Sequence, residues 1–217
     1  MMTRIAEIQR RFGMLLFALL WLALAIGCSE RRDAPLAPGS IVLALGDSIT
    51  AGHGLLPEQA WPALLARRSG WQIVNAGVSG DTSDGALQRL PGLLAEHAPH
   101  LMIVEIGGND MLRRAAESRI SANLAAIIDL ARQRQVRVAV LAIPRPSALG
   151  VATGRLKPAA LYADTASSRG VMLVEHAVSD VLSDGRLRLD PLHPNAEGQL
   201  ALAEALEKSF RTAGWLR

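Results

Sequence analysis

Five short, nearly continuous apolar runs follow residue 40: Ile41 to Leu45, Gln72 to Asn75, Leu101 to Ile106, Val136 to Ile143 and Val171 to Val174. Runs of this kind suit strands covered on both sides, and a sheet covered on both sides is a parallel sheet with helices against each face. The stretches between them carry the helical period. Leu87, Leu90 and Leu94 share one face behind a cap at Asp81 or Thr82, and Ile120, Leu124, Ile127 and Ala131 share another. A last helix opens near Asn195 and turns Leu202, Leu206 and Phe210 inward. Pro91 is expected to kink the first of these helices. The segment Pro144 to Lys157, with two Pro, two Gly and no period, reads as a mobile loop. With 217 residues, half of them hydrophobic, the chain can bury one large core, and two full domains would be cramped.

The amino-terminal end is different. Arg4, Arg10 and Arg11 precede an apolar run from Phe12 to Ile26. As a helix this run reaches ~22 Å, short of the ~30 Å hydrocarbon core, so residues 1–27 read as a cleaved export signal. They end in Leu24-Ala25-Ile26-Gly27-Cys28, which resembles the lipobox of bacterial lipoproteins, although Ala25 stands where Leu is usual. That resemblance implies acylation of Cys28 and a membrane anchor, and Ser29 in place of Asp implies an exported, periplasmic protein held at the outer membrane. The other reading is an ordinary signal peptide with an incidental cysteine. Residues 28–40 are then a polar tether and 41–217 the working domain. Leaving aside Arg4, Arg10, Arg11 and Glu7, 20 basic residues face 19 acidic ones, and no basic run is interleaved with aromatics. That balance argues against nucleic acid as a partner.

Ligands of open parallel sheets bind beyond the carboxyl ends of the strands. Three strand exits are rich in polar residues and glycine: Gly46-Asp47-Ser48-Ile49-Thr50, Ser79-Gly80-Asp81-Thr82-Ser83 and Gly107-Gly108-Asn109-Asp110. Asp190-Pro191-Leu192-His193 precedes the final helix. This inventory suffices for acyl transfer: Ser48 attacks once His193 takes its proton, and a buried carboxylate at Asp190 orients the imidazole. Glycine at 80, the Asn109 amide and the Ser48 N–H would supply donors to the oxyanion. Asp47 is expected to hold the turn through backbone N–H groups rather than to react.

These four blocks, in this order, resemble the GDSL or SGNH hydrolases. The likeness is sharpest to the bacterial acyl-CoA thioesterase, lysophospholipase and arylesterase branch, through Trp61-Pro62-Ala63-Leu64-Leu65, Asn75-Ala76, Arg89-Leu90-Pro91 and Glu105-Ile106. The resemblance spans roughly residues 41–212. It implies a flavodoxin-like three-layer α/β/α sandwich on a parallel five-stranded sheet. It also implies Ser48 as nucleophile, His193 as base and Asp190 as its partner, with Ser48, Gly80 and Asn109 as the oxyanion hole. The implied activity is hydrolysis of acyl or aryl esters, thioesters or lysophospholipids through an acyl-enzyme, without metal or cofactor. Ile49-Thr50 replaces the usual Leu-Ser of the branch, and His53 stands where tyrosine is common.

Other readings stay open at this level. Ser48 taken alone could be a helix cap and Gly80 a turn glycine. His53 competes with His193 for the site. His97 and His100 read as a solvated surface pair, and His176 as structural or exposed. A carbohydrate O-deacetylase of the same fold and a noncatalytic envelope lipoprotein are the rival functions. A nucleophile elbow Gly-x-Ser-x-Gly is absent because residue 50 is Thr, which argues against an ordinary α/β-hydrolase.

Overall fold

All five apolar runs form strands: β1 (Ile41–Gly46), β2 (Gln72–Gly77), β3 (Leu101–Glu105), β4 (Arg137–Leu141) and β5 (Met172–Val174). Every neighbouring pair is parallel, in the order β2-β1-β3-β4-β5. The computed structural model describes residues 34–217, so the expected signal at 1–27, Cys28 and the start of the expected tether lie outside the described residues.

Alternation along each strand builds two cores. Leu43, Leu45, Met102, Val104, Val138 and Val140 face one side. There they meet α3 (Ser83–His97), α5 (Glu117–Gln133) and α7 (Ala160–Arg169). Val42, Ala44, Leu101, Ile103, Ala139 and Leu141 face the other. They pack on α2 (Trp61–Ser69), α8 (Ala177–Ser183) and α9 (Ala196–Thr212). The helical faces read from the sequence are the ones buried: Ile120, Leu124, Ile127 and Ala131 on α5, and Leu202, Leu206 and Phe210 on α9. Each such large apolar side chain contributes about 1.5–3 kcal/mol when fully buried. This is the three-layer sandwich, and among the described residues no helix is long and apolar enough to cross a membrane.

The strand order puts a topological switch between β1 and β3. The chain leaves β1 toward β2 on one side and β3 toward β4 on the other, so their exits part and leave a crevice at the carboxyl edge. Two short helices start there: α1 (Ser48–Ala51) after β1 and α4 (Gly108–Leu112) after β3.

Two local expectations change. The segment 144–157, read as an unstructured mobile loop, contains α6 (Ala148–Thr153), capped by the Ser147 hydroxyl accepting from Gly150 N–H at 3.0 Å. A helix of six residues is too short to display a period. Helix α3 runs through Pro91, which is exposed. The described part of the expected tether is held against the domain: Leu36 N–H donates to the Trp215 carbonyl at 2.8 Å and Gly39 N–H to the Gly70 carbonyl at 2.7 Å. The Ala34 carbonyl accepts from Arg137 at the start of β4. The chain thus enters at the amino edge of the sheet, opposite the crevice.

Candidate active site

Ser48 opens α1 immediately after the tight turn that leaves β1. A Cβ on Gly46 would lie 2.1 Å from Thr50 Oγ1, so only glycine lets the turn close this tightly. Asp47 caps the helix, its Oδ1 accepting from Ile49 N–H at 3.0 Å, which is the turn-holding role expected of it. Gln199 of α9 registers the turn from behind: its Nε2 donates to the Ile49 carbonyl at 2.9 Å and its Oε1 accepts from Trp61 N–H at 2.8 Å.

His193 comes to Ser48 from 145 residues away, with Nε2 3.0 Å from the hydroxyl oxygen. Its Nδ1 lies 2.8 Å from Asp190 Oδ2 and 3.0 Å from Oδ1. An ionised carboxylate only accepts, so Nδ1 carries the hydrogen and Nε2 is left to accept from Ser48. Asp190 and His193 sit on one turn: Asp190 Oδ1 also accepts from Leu192 N–H at 2.7 Å and His193 N–H at 3.0 Å. Partial burial works against the Asp190 anion. The hydrogen bond from the His193 ring and those from the two N–H groups outweigh it and hold the carboxyl below its ordinary range. The expectation of a buried Asp190 is corrected, because its side chain is 40% exposed. It projects from a surface turn ahead of α9, and the bonds of that turn, not burial, orient it.

Ser48, Gly80 and Asn109 line the same cavity. Among the described residues, the N–H groups of Ser48 and Gly80 donate to no other protein group. Gly80 is required for its backbone angle, φ 78°, because a Cβ there would meet nothing within 4 Å. The Asn109 amide is not idle: Nδ2 donates to the Asp81 carbonyl at 2.9 Å and to Asp47 Oδ2 at 3.2 Å. The cavity measures about 590 Å³, and from this polar end it runs along Leu112, Ile143, Val151, Leu156 and Leu182.

Beneath the turn lies a group the sequence reading missed. Glu105, the last residue of β3, is fully buried, and its Oε2 accepts from the Thr50 hydroxyl at 2.8 Å. Burial, and then the adjacent Asp47 carboxyl, push Glu105 well above the ordinary carboxylate range. Burial likewise raises Asp47 to about 6, against the lowering effect of Ile49 N–H. The available signal was a carboxylate closing an otherwise apolar strand. Arg89 was also unassigned; its guanidinium joins Asp81 Oδ2 at 2.9 Å, the Ala76 carbonyl at 2.7 Å and the Gly46 carbonyl at 3.1 Å. Asp110, buried, accepts from the Ser83 hydroxyl at 2.7 Å and Ser83 N–H at 2.8 Å, pinning α3 to the crevice.

The remaining histidines divide. His53 is exposed, its ring centroid 4.4 Å from that of His193, and it is His193 that reaches Ser48. His100 is more than a solvated surface residue, since its Nδ1 accepts from Ile41 N–H at 3.2 Å. His176 precedes α8 and is largely exposed. Among the described residues no group of three or more His, Cys, Asp or Glu side chains is arranged to hold a metal ion.

A three-layer sandwich with a serine, a histidine and unengaged N–H donors at its switch point is the architecture of a serine hydrolase acting on ester bonds. The sequence pattern of the GDSL-like Lipase/Acylhydrolase family matches residues 44–201, and the chain belongs to that family. It is 37% identical over 178 residues to esterase TesA of Pseudomonas aeruginosa, covering 77% of this chain and 86% of that one. Thioesterase 1/protease 1/lysophospholipase L1 of Escherichia coli is 34% identical over 182 residues, covering 81% and 85%. The crystal structure of TesA superposes with a TM-score of 0.71 at 35% identity, over 80% of this chain and 99% of that one. The psychrotrophic esterase EstA from Pseudoalteromonas sp., inhibited by monoethylphosphonate, superposes with a TM-score of 0.70 at 28% identity, over 80% and 97%.

Proposed function

We propose that Ser48 is the nucleophile, His193 the general base and Asp190 its orienting partner, with the N–H groups of Ser48 and Gly80 and the Asn109 amide forming the oxyanion hole. The observation that carries this reading is the hydrogen-bonded chain from Ser48 through His193 to Asp190. His193 Nε2 takes the serine proton as Oγ bonds to the carbonyl carbon, and the carbonyl oxygen becomes an anion held by the hole. Collapse breaks the bond to the alcohol or thiol, which leaves with the proton from His193. Water then repeats the sequence on the acyl-enzyme and frees the acid. A fluorophosphonate probe should label the protein, and Ser48→Ala should lose both label and turnover with unchanged circular dichroism. Labelling or turnover retained by Ser48→Ala would reassign the nucleophile.

The apolar walls of the cavity favour acyl chains longer than acetyl, in esters, thioesters or lysophospholipids, over acetylated sugars. A panel of acyl and thioacyl esters from acetyl to palmitoyl tests this, with preference for acetylated sugar as the opposing outcome. The same reading assigns residues 1–27 to a signal, Cys28 to acylation, 28–40 to a short connection and 41–217 to the enzyme, placing it in the periplasm at the outer membrane. Cell fractionation with radiolabelled palmitate, compared with Cys28→Ser, tests the anchor; a soluble, unlabelled wild-type protein would overturn it.

A further inference from the structure

The cleft chemistry uses neither of the two carboxyls packed beneath the nucleophile. Glu105 is 0% and Asp47 3% exposed. Glu105 has the neutral Thr50 hydroxyl on Oε2 and, close by, the backbone and the carboxyl of Asp47, while Oε1 has no hydrogen-bond partner. An ionised carboxylate in that position would be buried against another carboxylate with one oxygen unanswered, a state that costs far more than protonation. A proton on Glu105 removes the conflict. Its O–H then has an acceptor in Asp47, and Asp47 keeps lone pairs for Ile49 N–H and for Asn109 Nδ2.

We infer that Asp47 is a positioning residue for the oxyanion hole, aiming the Asn109 amide while Glu105, carrying a proton, holds Asp47 in place. This rests on the reading of Asn109 as an oxyanion donor. Asn109 Nδ2 has two hydrogens, one on the Asp81 carbonyl and one on Asp47. The bond to Asp47, at 3.2 Å, is the longer and the one a developing oxyanion can share. A charge on His193 favours the Asp47 anion, so by reciprocity the anion favours the imidazolium formed as Ser48 attacks. The other groups facing the pair act in known directions. Asp81, ion-paired with Arg89, repels the Asp47 anion; Tyr162, whose hydroxyl donates to the Ile106 carbonyl at 2.9 Å, stays neutral beside Glu105 and Asp110.

Protonation of Asp47 then weakens the hole from the acid side, so the acid limb of log kcat against pH should be steeper than a single protonation gives. Kinetics of the purified protein on a short p-nitrophenyl ester between pH 4.5 and 8.5 test this. Asp47→Asn should lower kcat by about 10- to 100-fold with KM within about twofold, and reduce the slope to one. A residue serving only to hold the turn would lower kcat without altering the slope. Glu105→Gln offers an N–H to Asp47 and an oxygen to Thr50, as a protonated Glu105 does, and should keep kcat within about threefold and the steep limb. Asp47→Asn with kcat within twofold, or with the slope unchanged, overturns the inference, as does Glu105→Gln losing more than tenfold. Asn109→Ala measured alongside tests the hole itself, so the failure of that reading is distinguishable from failure of this one.

Discussion

The two halves of the site are built in opposite ways. The half proposed to hold the nucleophile, with Ser48, Gly80 and Asn109, stands on a network, buried at its base and partly buried above, in which Thr50 meets Glu105, Asn109 meets Asp47 and Asp81, and Arg89 ties Asp81 to the ends of β1 and β2. The base half is one exposed turn whose carboxylate is bonded to its own loop and to a ring three residues on. A buried network in low dielectric is rigid and sensitive to each member, whereas a surface turn is sensitive only to its own bonds. Geometry around the developing oxyanion is thus set by the whole sheet, and the placement of the base by four residues together with the docking of α9 through Gln199.

This contrast can be broken at several points. The largest effect should come from His193→Ala, with kcat reduced by about 10⁴-fold or more while Tm changes by no more than a few degrees, since the ring lies on a surface turn. Rapid turnover in that variant, read by steady-state kinetics, would move the base to His53. Asn109→Ala removes one hole donor and should cost about 10²–10³ in kcat, and it should also lower Tm because two partly buried hydrogen bonds go with it. A change confined to KM would make Asn109 a substrate contact instead. His53→Ala should alter kcat by less than about threefold, because the ring is exposed, lies tilted beside that of His193, and is not the one that reaches Ser48.

The smallest effect concerns stability and pH, where the halves differ in sign. Asp47 has a folded value raised to about 6 from 3.8, so its contribution is present below pH 4 and lost as pH rises toward 6. Asp190 is lowered, so its contribution is present above pH 4 and lost on acidification. Thermal melts of Asp47→Asn should therefore gain on wild type between pH 5 and 7, and those of Asp190→Asn should lose most in the same range. Parallel curves would mean that the two carboxyls share one environment.

Much of the site was legible because its blocks are local. Gly46-Asp47-Ser48, Gly80, Gly107 to Asp110 and Asp190 to His193 each occupy a strand exit or a helix entry, and such turns depend on residues within a few positions of one another. The strands and the buried faces of α5 and α9 were legible for the same reason, since periodicity is a property of neighbours. Helix α6 escaped because six residues hold too little of a period.

What the chain determined by itself was the set of elements and the reactive groups that leave them. What only tertiary structure decided was the state of those groups: that Asp190 is half exposed, that Asn109 is already bonded, that Glu105 lies against Asp47. The last two depend on partners from remote segments, 62 residues apart for Asn109 and Asp47 and 55 for Thr50 and Glu105. Burial and protonation are set by whatever surrounds a group, and those surroundings exist only once the strand order has brought the exits of β1, β2 and β3 to one edge.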